Sequence, residues 1–405
     1  MVDTSTQNRA PRTVAIIGGC GHVGLPLGLS FAEAGLQVVL YDINAEAIRG
    51  LEVGKMPFME RGGEQLLQKH LGRGLHASND PHRLREADAV VCVIGTPIDE
   101  HLNPKVDSLL KAVDDIVPHL SASQLFVLRS TVFPGATERV HLHLQRRVPG
   151  IDVAFCPERV AQGTAIEEIR TMPQIVSGVG PVALKRARLL FGTICPDLVE
   201  LEPMEAELAK LFCNAWRYIT FAIANQFYTV CADEGIDYYK IWSAITKDYP
   251  RMKALPKAGF AAGPCLFKDT MQLASFFQND FPLGHSAMLV NEQLPRAVLR
   301  QLTLQHDLRD KTVGILGMAF KGDNDDTRES LAFKLRKLLT IECREVLCTD
   351  EFAQLPWFTP LDEVLERADV LIIGAPHSRY KTLTLRQPFI DPWNLLGRGG
   401  LPTNR

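Results

Sequence analysis

The 405-residue chain carries 44 basic and 47 acidic residues, a formal net charge of −3, and is 46% hydrophobic. That length exceeds one ordinary core and predicts two or three domains, while the balanced charge leaves no polybasic footprint for nucleic acid or an anionic membrane surface. Nine cysteines without C-x-x-C spacing, several inside apolar runs, argue against both a zinc site and a disulfide framework.

The polar opening MVDTSTQNRAPRT leads directly into a strand pattern, and no apolar run approaches a membrane span, so a cytoplasmic protein is expected. Residues 12–195 alternate short β-branched runs (VAIIG, QVVLYD, AVVCVIG, QLFVLRS, DVAFC, QIVSG) with amphipathic stretches. This is the pattern of an α/β domain with a doubly wound parallel sheet.

Within it, VAIIGGCGHVG sets Gly19, Gly21 and Gly24 in the spacing G-x-G-x-x-G, after a strand and ahead of the helix pattern LPLGLSFAEAG. The first glycine permits a tight turn, the second lets backbone approach a pyrophosphate, and the third allows close helix packing; the helix N-terminus stabilises the negative charge. Val23 is grouped with them as cofactor-binding. Asp42 closes the next strand about 20 residues downstream, where a carboxylate accepts hydrogen bonds from a ribose diol and repels a 2′-phosphate. NAD is therefore expected rather than NADP; a tight turn with a solvated aspartate is the plain alternative. Thr96 and Pro97 follow the strand AVVCVI at the edge where open sheets bind ligands, although a simple turn reads equally well.

RSTVFPG, 129–135, offers Thr131 at the same edge, as a helix cap or as a ligand positioner. CPERVAQG, 156–163, puts Glu158 and Arg159 at a strand end, where the carboxylate could serve as a general base or the pair could only cap a helix. From Met204 to about Glu234 the chain reads as one helix without Pro or Gly, roughly 45 Å long at about 1.5 Å per residue. It is apolar on most faces and is expected to be buried between domains or subunits. Lys210, Asn214 and Arg217 share one of its faces, where they would meet a bound sugar with a developing oxyanion or form an internal salt-bridge stripe.

In AGFAAGPCLFKDT, 258–270, the small residues Gly259, Ala261, Ala262 and Gly263 let backbone approach a ligand and deliver Cys265 with Lys268 and Asp269 beyond it. An ammonium beside a thiol favours the thiolate, and a carboxylate can orient water or take a proton. A nucleophile site and a buried cysteine beside a solvated Lys-Asp pair both fit. A second, smaller α/β alternation begins at Lys311 with TVGILG and runs through REVLCTD and ADVLIIGAP to near Trp393. Its first loop, GILGMAFKGDNDDTRES, lacks the third glycine of a dinucleotide fingerprint, so a second NAD is not indicated. Lys321 and Arg328 in that loop can bind a phosphate or carboxylate, or belong to a solvated charge run. His22 and His377 read as satisfied or solvated imidazoles, and GRGGLPTNR as a frayed tail. The chain thus divides at 12–195, 196–300 and 301–405.

These blocks, in this order, resemble the UDP-glucose/GDP-mannose dehydrogenase family from Val14 to about Trp393: the glycine loop, STVFPG, PERVAQG, ELAKLFCNAWRY, GPCLFKD and FKGDNDDTRES. The resemblance implies two Rossmann-like domains joined by a long central helix and a helical dimerisation region, hence a homodimer. It implies Cys265 as nucleophile with Lys268 and Asp269 completing its loop, Lys210 and Asn214 stabilising the oxyanion, Glu158 as base and Thr131 holding water and cofactor. Glu158, Arg159, Lys210, Asn214, Arg217, Arg251, Gly263, Lys321 and Arg328 are the implied contacts to a nucleotide sugar. The implied reaction takes the sugar C6 hydroxymethyl through an aldehyde, a thiohemiacetal on Cys265 and a thioester to a carboxylate, with two hydrides passed to NAD.

Where many UDP-glucose members resemble PEFLREG, this chain has Arg159 and Gln162; PERV, like APHSRY at 375–380, looks more like members acting on UDP-N-acetylmannosamine. UDP-N-acetyl-D-mannosamine is the first expected substrate and UDP-glucose the second. A two-electron hydroxyacid dehydrogenase of related fold and a non-catalytic NAD sensor are the readings from other classes. GFAAGPC departs from the commoner GxGxGGxC stretch, and Pro264 is fixed in φ immediately before the nucleophile.

Overall fold

The computed structural model describes residues 10–95, 99, 106–261 and 263–398. Thr96, Pro97, Ala262, most of the polar opening and the tail beyond 398 lie outside the described residues. The chain separates into two compact units, Met1–Phe212 and Cys213–Arg405.

The first unit is built on eight strands, β1 (Thr13–Ile17), β2 (Gln37–Tyr41), β3 (Leu75–Ser78), β4 (Ala89–Cys92), β5 (Leu125–Leu128), β6 (Asp152–Phe155), β7 (Gln174–Gly178) and β8 (Leu198–Glu200), in the order β3-β2-β1-β4-β5-β6-β7-β8. From β3 to β6 every pairing is parallel. The order reverses between β1 and β4, which opens a ligand crevice at the strand C-termini. Alternation along β1 sends Val14 and Ile16 to one layer with Leu25, Phe31 and Leu40, and Ala15 and Ile17 to the other with Phe126, Val140 and Phe155.

One expectation is corrected here. QIVSG does form a strand, but β7 runs antiparallel to β6, with Ala154 opposite Gly178 and Phe155 opposite Ser177, and β8 then follows β7. Hydrophobic runs report burial rather than direction: all five residues of β7 are buried, as are those of the parallel strands β4 and β5.

The second unit carries the helices Tyr238–Thr246, Leu266–Phe276 and Pro282–Gln305 and a parallel sheet of β9 (Thr312–Leu316), β10 (Glu345–Thr349), β11 (Val370–Ile373) and β12 (Phe389–Ile390), ordered β10-β9-β11-β12. The two sheets open with the same device. Gly18 takes φ +75° and Gly317 φ +93°, and each amide donates at 2.9 Å to the carbonyl that ends the next strand, Tyr41 and Thr349 respectively. A positive φ there suits glycine because a Cβ is strained in that region.

The long helix is Pro203–Asp233, and the division between the units falls inside it. Within the single chain one side of this helix is buried and the other exposed. Leu211, Asn214, Tyr218, Asn225 and Tyr228 are buried, while Phe212, Trp216, Ile223, Phe227 and Val230 form an exposed apolar stripe, with Trp216 62% exposed. Among the described residues no helix is long and apolar enough to cross a membrane.

Candidate active site

At the end of β1 the glycines divide their work differently from the expected assignment. The left-handed turn is made by Gly18, not Gly19. Gly19 is demanded by packing, since a Cβ there would lie 2.7 Å from the Leu40 Cα, and Gly24 because a Cβ would lie 2.4 Å from the Gly18 carbonyl oxygen. At Gly21 the nearest atom is 3.5 Å away, so this glycine presents open backbone beside the N-terminus of the helix Gly24–Glu33, as a pyrophosphate requires. Val23 is the residue that caps that helix. Asp42 accepts hydrogen bonds from the amides of Cys20 and Asn44, both at 3.0 Å, which fixes its carboxylate at the loop. Burial, helped by Asp42, pushes the Cys20 thiol up to about 12, so this cysteine stays a thiol.

Beyond β5 and β6 the structure adds a residue that motif reading passed over. Arg129 is completely buried; it donates to the carbonyls of Cys156 (3.0 Å) and Pro157 (3.3 Å), to Gln174 Oε1 (3.0 Å) and to Glu158 Oε2 (2.6 Å). Its guanidinium also lies 4.9 Å from the centre of the Phe191 ring. The other Glu158 oxygen accepts from the amides of Arg159 (2.7 Å) and Val160 (3.1 Å). Glu158 is thus an ion-paired cap of its own turn, and a role as base requires it to give up one of these partners. Arg159 turns its guanidinium to the Pro173 carbonyl. Thr131 is half-buried after β5. A charged residue closing an otherwise apolar strand, as Arg129 closes LFVL, was the available signal.

On the long helix the three expected polar residues do not share one environment. Asn214 is buried, Lys210 half-buried and Arg217 exposed. Glu207, one turn before Lys210, is buried and accepts from the amides of Gly135 (2.6 Å) and Thr137 (2.8 Å) and from the Thr137 hydroxyl (2.5 Å). Asn225, also unremarked in the sequence, accepts the Gly259 amide at 2.8 Å and donates to Asn291 at 2.9 Å, so the helix holds the base of the cysteine loop.

Cys265 is exposed and caps the eleven-residue helix Leu266–Phe276. Asp269, fully buried in the first turn of that helix, forms an ion pair with Lys268 at 2.7 Å and accepts from Asn214 Nδ2 at 2.5 Å. Gly263 takes φ +99° against the Phe320 ring, and its amide donates to the Glu329 carbonyl at 3.3 Å. The ring of Trp393 lies flat on Gly259. Arg328, expected as a phosphate ligand, is clamped to Asp326 through Nε at 2.9 Å and Nη2 at 2.5 Å. Its guanidinium is held charged by Asp326 first and, more weakly, by Cys265. Cys265 thus stands at a helix N-terminus within the electrostatic reach of the Arg328 guanidinium. Lys321 is half-buried in the same loop. Arg251 is exposed with its guanidinium 5.7 Å from the Tyr249 ring centre.

Models of one family match nearly the whole chain: the NAD binding domain over residues 12–193, the central domain over 204–293 and the UDP binding domain over 314–398. The chain belongs to the UDP-glucose/GDP-mannose dehydrogenase family. It is accordingly an NAD-dependent nucleotide-sugar dehydrogenase, and the open Gly21 backbone with the Asp42 carboxylate suits that cofactor. The dehydrogenase is 28% identical over 377 residues to the UDP-N-acetyl-D-mannosamine dehydrogenase of Pyrococcus horikoshii, covering 90% of each chain. The solved structure of a UDP-D-ManNAc dehydrogenase from Pyrococcus horikoshii superposes with a TM-score of 0.87 at 26% identity, covering 95% of this chain and 96% of the other. A UDP-glucose dehydrogenase from Pyrobaculum islandicum also reaches 0.87, at 25% identity and 95% and 94% coverage. The fold is therefore common to both sugar specificities.

Proposed function

We propose that this dehydrogenase oxidises the C6 hydroxymethyl of UDP-N-acetyl-D-mannosamine to the carboxylate in two steps on one site. The observation that carries the mechanism is Cys265 at a helix N-terminus, one turn from a buried Asp269 that is tied to Lys268 and Asn214. NAD, when bound, would supply a hydride acceptor, one NAD for each of the two oxidations, the first NADH being exchanged for a second NAD between them. The Cys265 thiolate adds to the aldehyde carbon, which keeps the aldehyde from escaping and replaces a hydrate by a thiohemiacetal. Asn214 and Lys210, one helical turn apart, stabilise the oxygen as negative charge develops on it. Loss of the second hydride leaves a thioester, and water cleaves it to the carboxylate and the free thiol; Thr131 and Asp269 are each read as water-positioning residues and Glu158 as the base. Arg159, Arg217, Arg251, Gly263, Lys321 and Arg328 are read as contacts to the nucleotide sugar, and Thr96 and Pro97 to the cofactor.

The sugar assignment is supported by PERV at 157–160, by APHSRY at 375–380 and by the relatives named for UDP-N-acetyl-D-mannosamine. UDP-glucose is the second reading, favoured by the equal superposition of the Pyrobaculum islandicum enzyme. We further read the chain as a cytoplasmic homodimer joined through the long helix, with domains at 12–195, 196–300 and 301–405.

The deciding experiment measures NADH formed per sugar consumed with UDP-N-acetyl-D-mannosamine, UDP-glucose and GDP-mannose. Two NADH per sugar are expected from the first donor, and Cys265→Ser is expected to lose turnover by about a thousandfold. One NADH per sugar, or an unimpaired serine variant, would remove the thioester step and leave a two-electron dehydrogenase.

A further inference from the structure

Segment 55–62, KMPFMERG, belongs to none of the motifs above, yet it reaches two of them. It leaves the helix Ala45–Glu52 and ends at Gly62, φ +75°, which opens the helix Gly63–His70. Met56 and Phe58 anchor it in the core of the first unit. At one end the Phe58 ring lies on His22, with centroids 4.0 Å apart and planes at 31°. His22 stands between Gly21 and Val23, inside the loop that meets the cofactor. At the other end both Glu60 oxygens are engaged: Oε2 accepts the Gly163 amide at 3.0 Å and Oε1 the Ile166 amide at 3.1 Å. The Arg61 amide completes the junction by donating to the Gly163 carbonyl at 3.0 Å.

The sheet explains why such a strap is needed. The glycine loop follows β1 and the 156–163 loop follows β6, with β4 and β5 between them. Three strand spacings put these loops roughly 14 Å apart at their roots, too far for direct main-chain contact. The 156–163 loop is otherwise held by Arg129, which binds the Cys156 and Pro157 carbonyls and Glu158, and by Glu168, which accepts the Ala161 amide at 2.8 Å and the Thr164 hydroxyl at 2.8 Å. The helix Ala165–Thr171 that follows it packs on the helix Gly24–Glu33 in a core that includes Leu25, Ile166 and Ile169; to that apolar contact Glu60 adds the polar tie, in which two amide donors on one carboxylate make charge-assisted bonds that hold a fixed geometry.

We infer that Glu60 is a positioning residue that ties the loop carrying Glu158 to the cofactor loop, so that NAD bound at Gly21–Val23 orders residues 158–166. The inference rests on the proposed function only in taking that loop to serve the reaction. Its test does not pass through turnover.

Amide hydrogen exchange of the full chain, with and without saturating NAD, reads the coupling directly. In the wild type, NAD is expected to slow exchange across 158–166 by about tenfold; in Glu60→Ala that slowing falls below about twofold, while amides 19–25 keep theirs. Glu60→Gln retains one acceptor oxygen and is expected to fall between the two. Should Glu60→Ala fail to bind NADH in a fluorescence titration, Phe58→Leu, which keeps the carboxylate and removes the ring contact, is expected to show the same loss. Unchanged NAD-dependent protection of 158–166 in the variant, or no NAD effect there in the wild type, overturns the coupling. A protein that oxidises no nucleotide sugar would still give this exchange pattern, so the two readings fail separately.

Discussion

At the scale of single residues, both sheets of this enzyme place an aspartate at the end of their second strand. Asp42 keeps its carboxylate at the glycine loop, where it accepts the Cys20 and Asn44 amides. Asp350 is instead turned inward: it accepts the amides of Met318 (2.6 Å) and Ala319 (2.9 Å), and His377 Nε2 lies 3.0 Å from it, with both side chains fully buried. Burial acts to raise the Asp350 carboxyl, but the His377 hydrogen bond and charge, with the Ala353 and Phe352 amides, hold it below the ordinary carboxylate range. A lowered folded pKa contributes stability that is present above the unfolded value of about 3.9 and is lost as pH falls through the folded value. In His377→Ala the burial cost is left with less to oppose it, so the carboxyl rises and the acid limb of the stability curve moves to higher pH. Thermal unfolding followed from about pH 3 to pH 7 should show that displacement; coincident acid limbs for wild type and variant would refute it.

At the scale of elements, the helix Ala136–Gln145 has no cap from its own chain neighbourhood. Gly135 at its N-cap makes no side-chain bond, and the exposed amides are met by Glu207 from the long helix. Removing that carboxylate strands the Gly135 and Thr137 donors in a buried place, so Glu207→Ala should cost about 1–3 kcal/mol of unfolding free energy in urea. A variant with the wild-type midpoint would show that water replaces the cap. Lys210 and Asn214, for which the proposed function assigns a role, follow Glu207 at one and two turns along the same long helix.

For the whole molecule, the exposed stripe of Phe212, Trp216, Ile223, Phe227 and Val230 underlies the proposed homodimer. Trp216→Asp at its centre should shift the protein to monomer in light scattering, since a central tryptophan commonly contributes about 2–4 kcal/mol to such an interface. A dimer mass retained at low protein concentration would place the interface elsewhere, and a monomeric wild type would end the proposal.

The sequence by itself determined the two α/β sheets, the long helix and the family, because alternation, helical period and glycine spacing are local consequences of backbone geometry. It also named Cys265, Lys268 and Asp269, which lie within one helical turn and need no fold to bring them together. Only the tertiary structure decided which glycine bears the positive φ, which way β7 runs, and that Glu158 is paired with Arg129, Arg328 with Asp326, and Glu60 with the Gly163 and Ile166 amides. Two of these carboxylate partnerships join residues far apart in sequence, Arg129 to Glu158 across one crossover and Glu60 to Gly163 across nearly half of the first unit. Hydrogen-bond partners at such separations leave no periodic trace in the chain; they are chosen by the strand order that brings loop ends to one edge of the sheet.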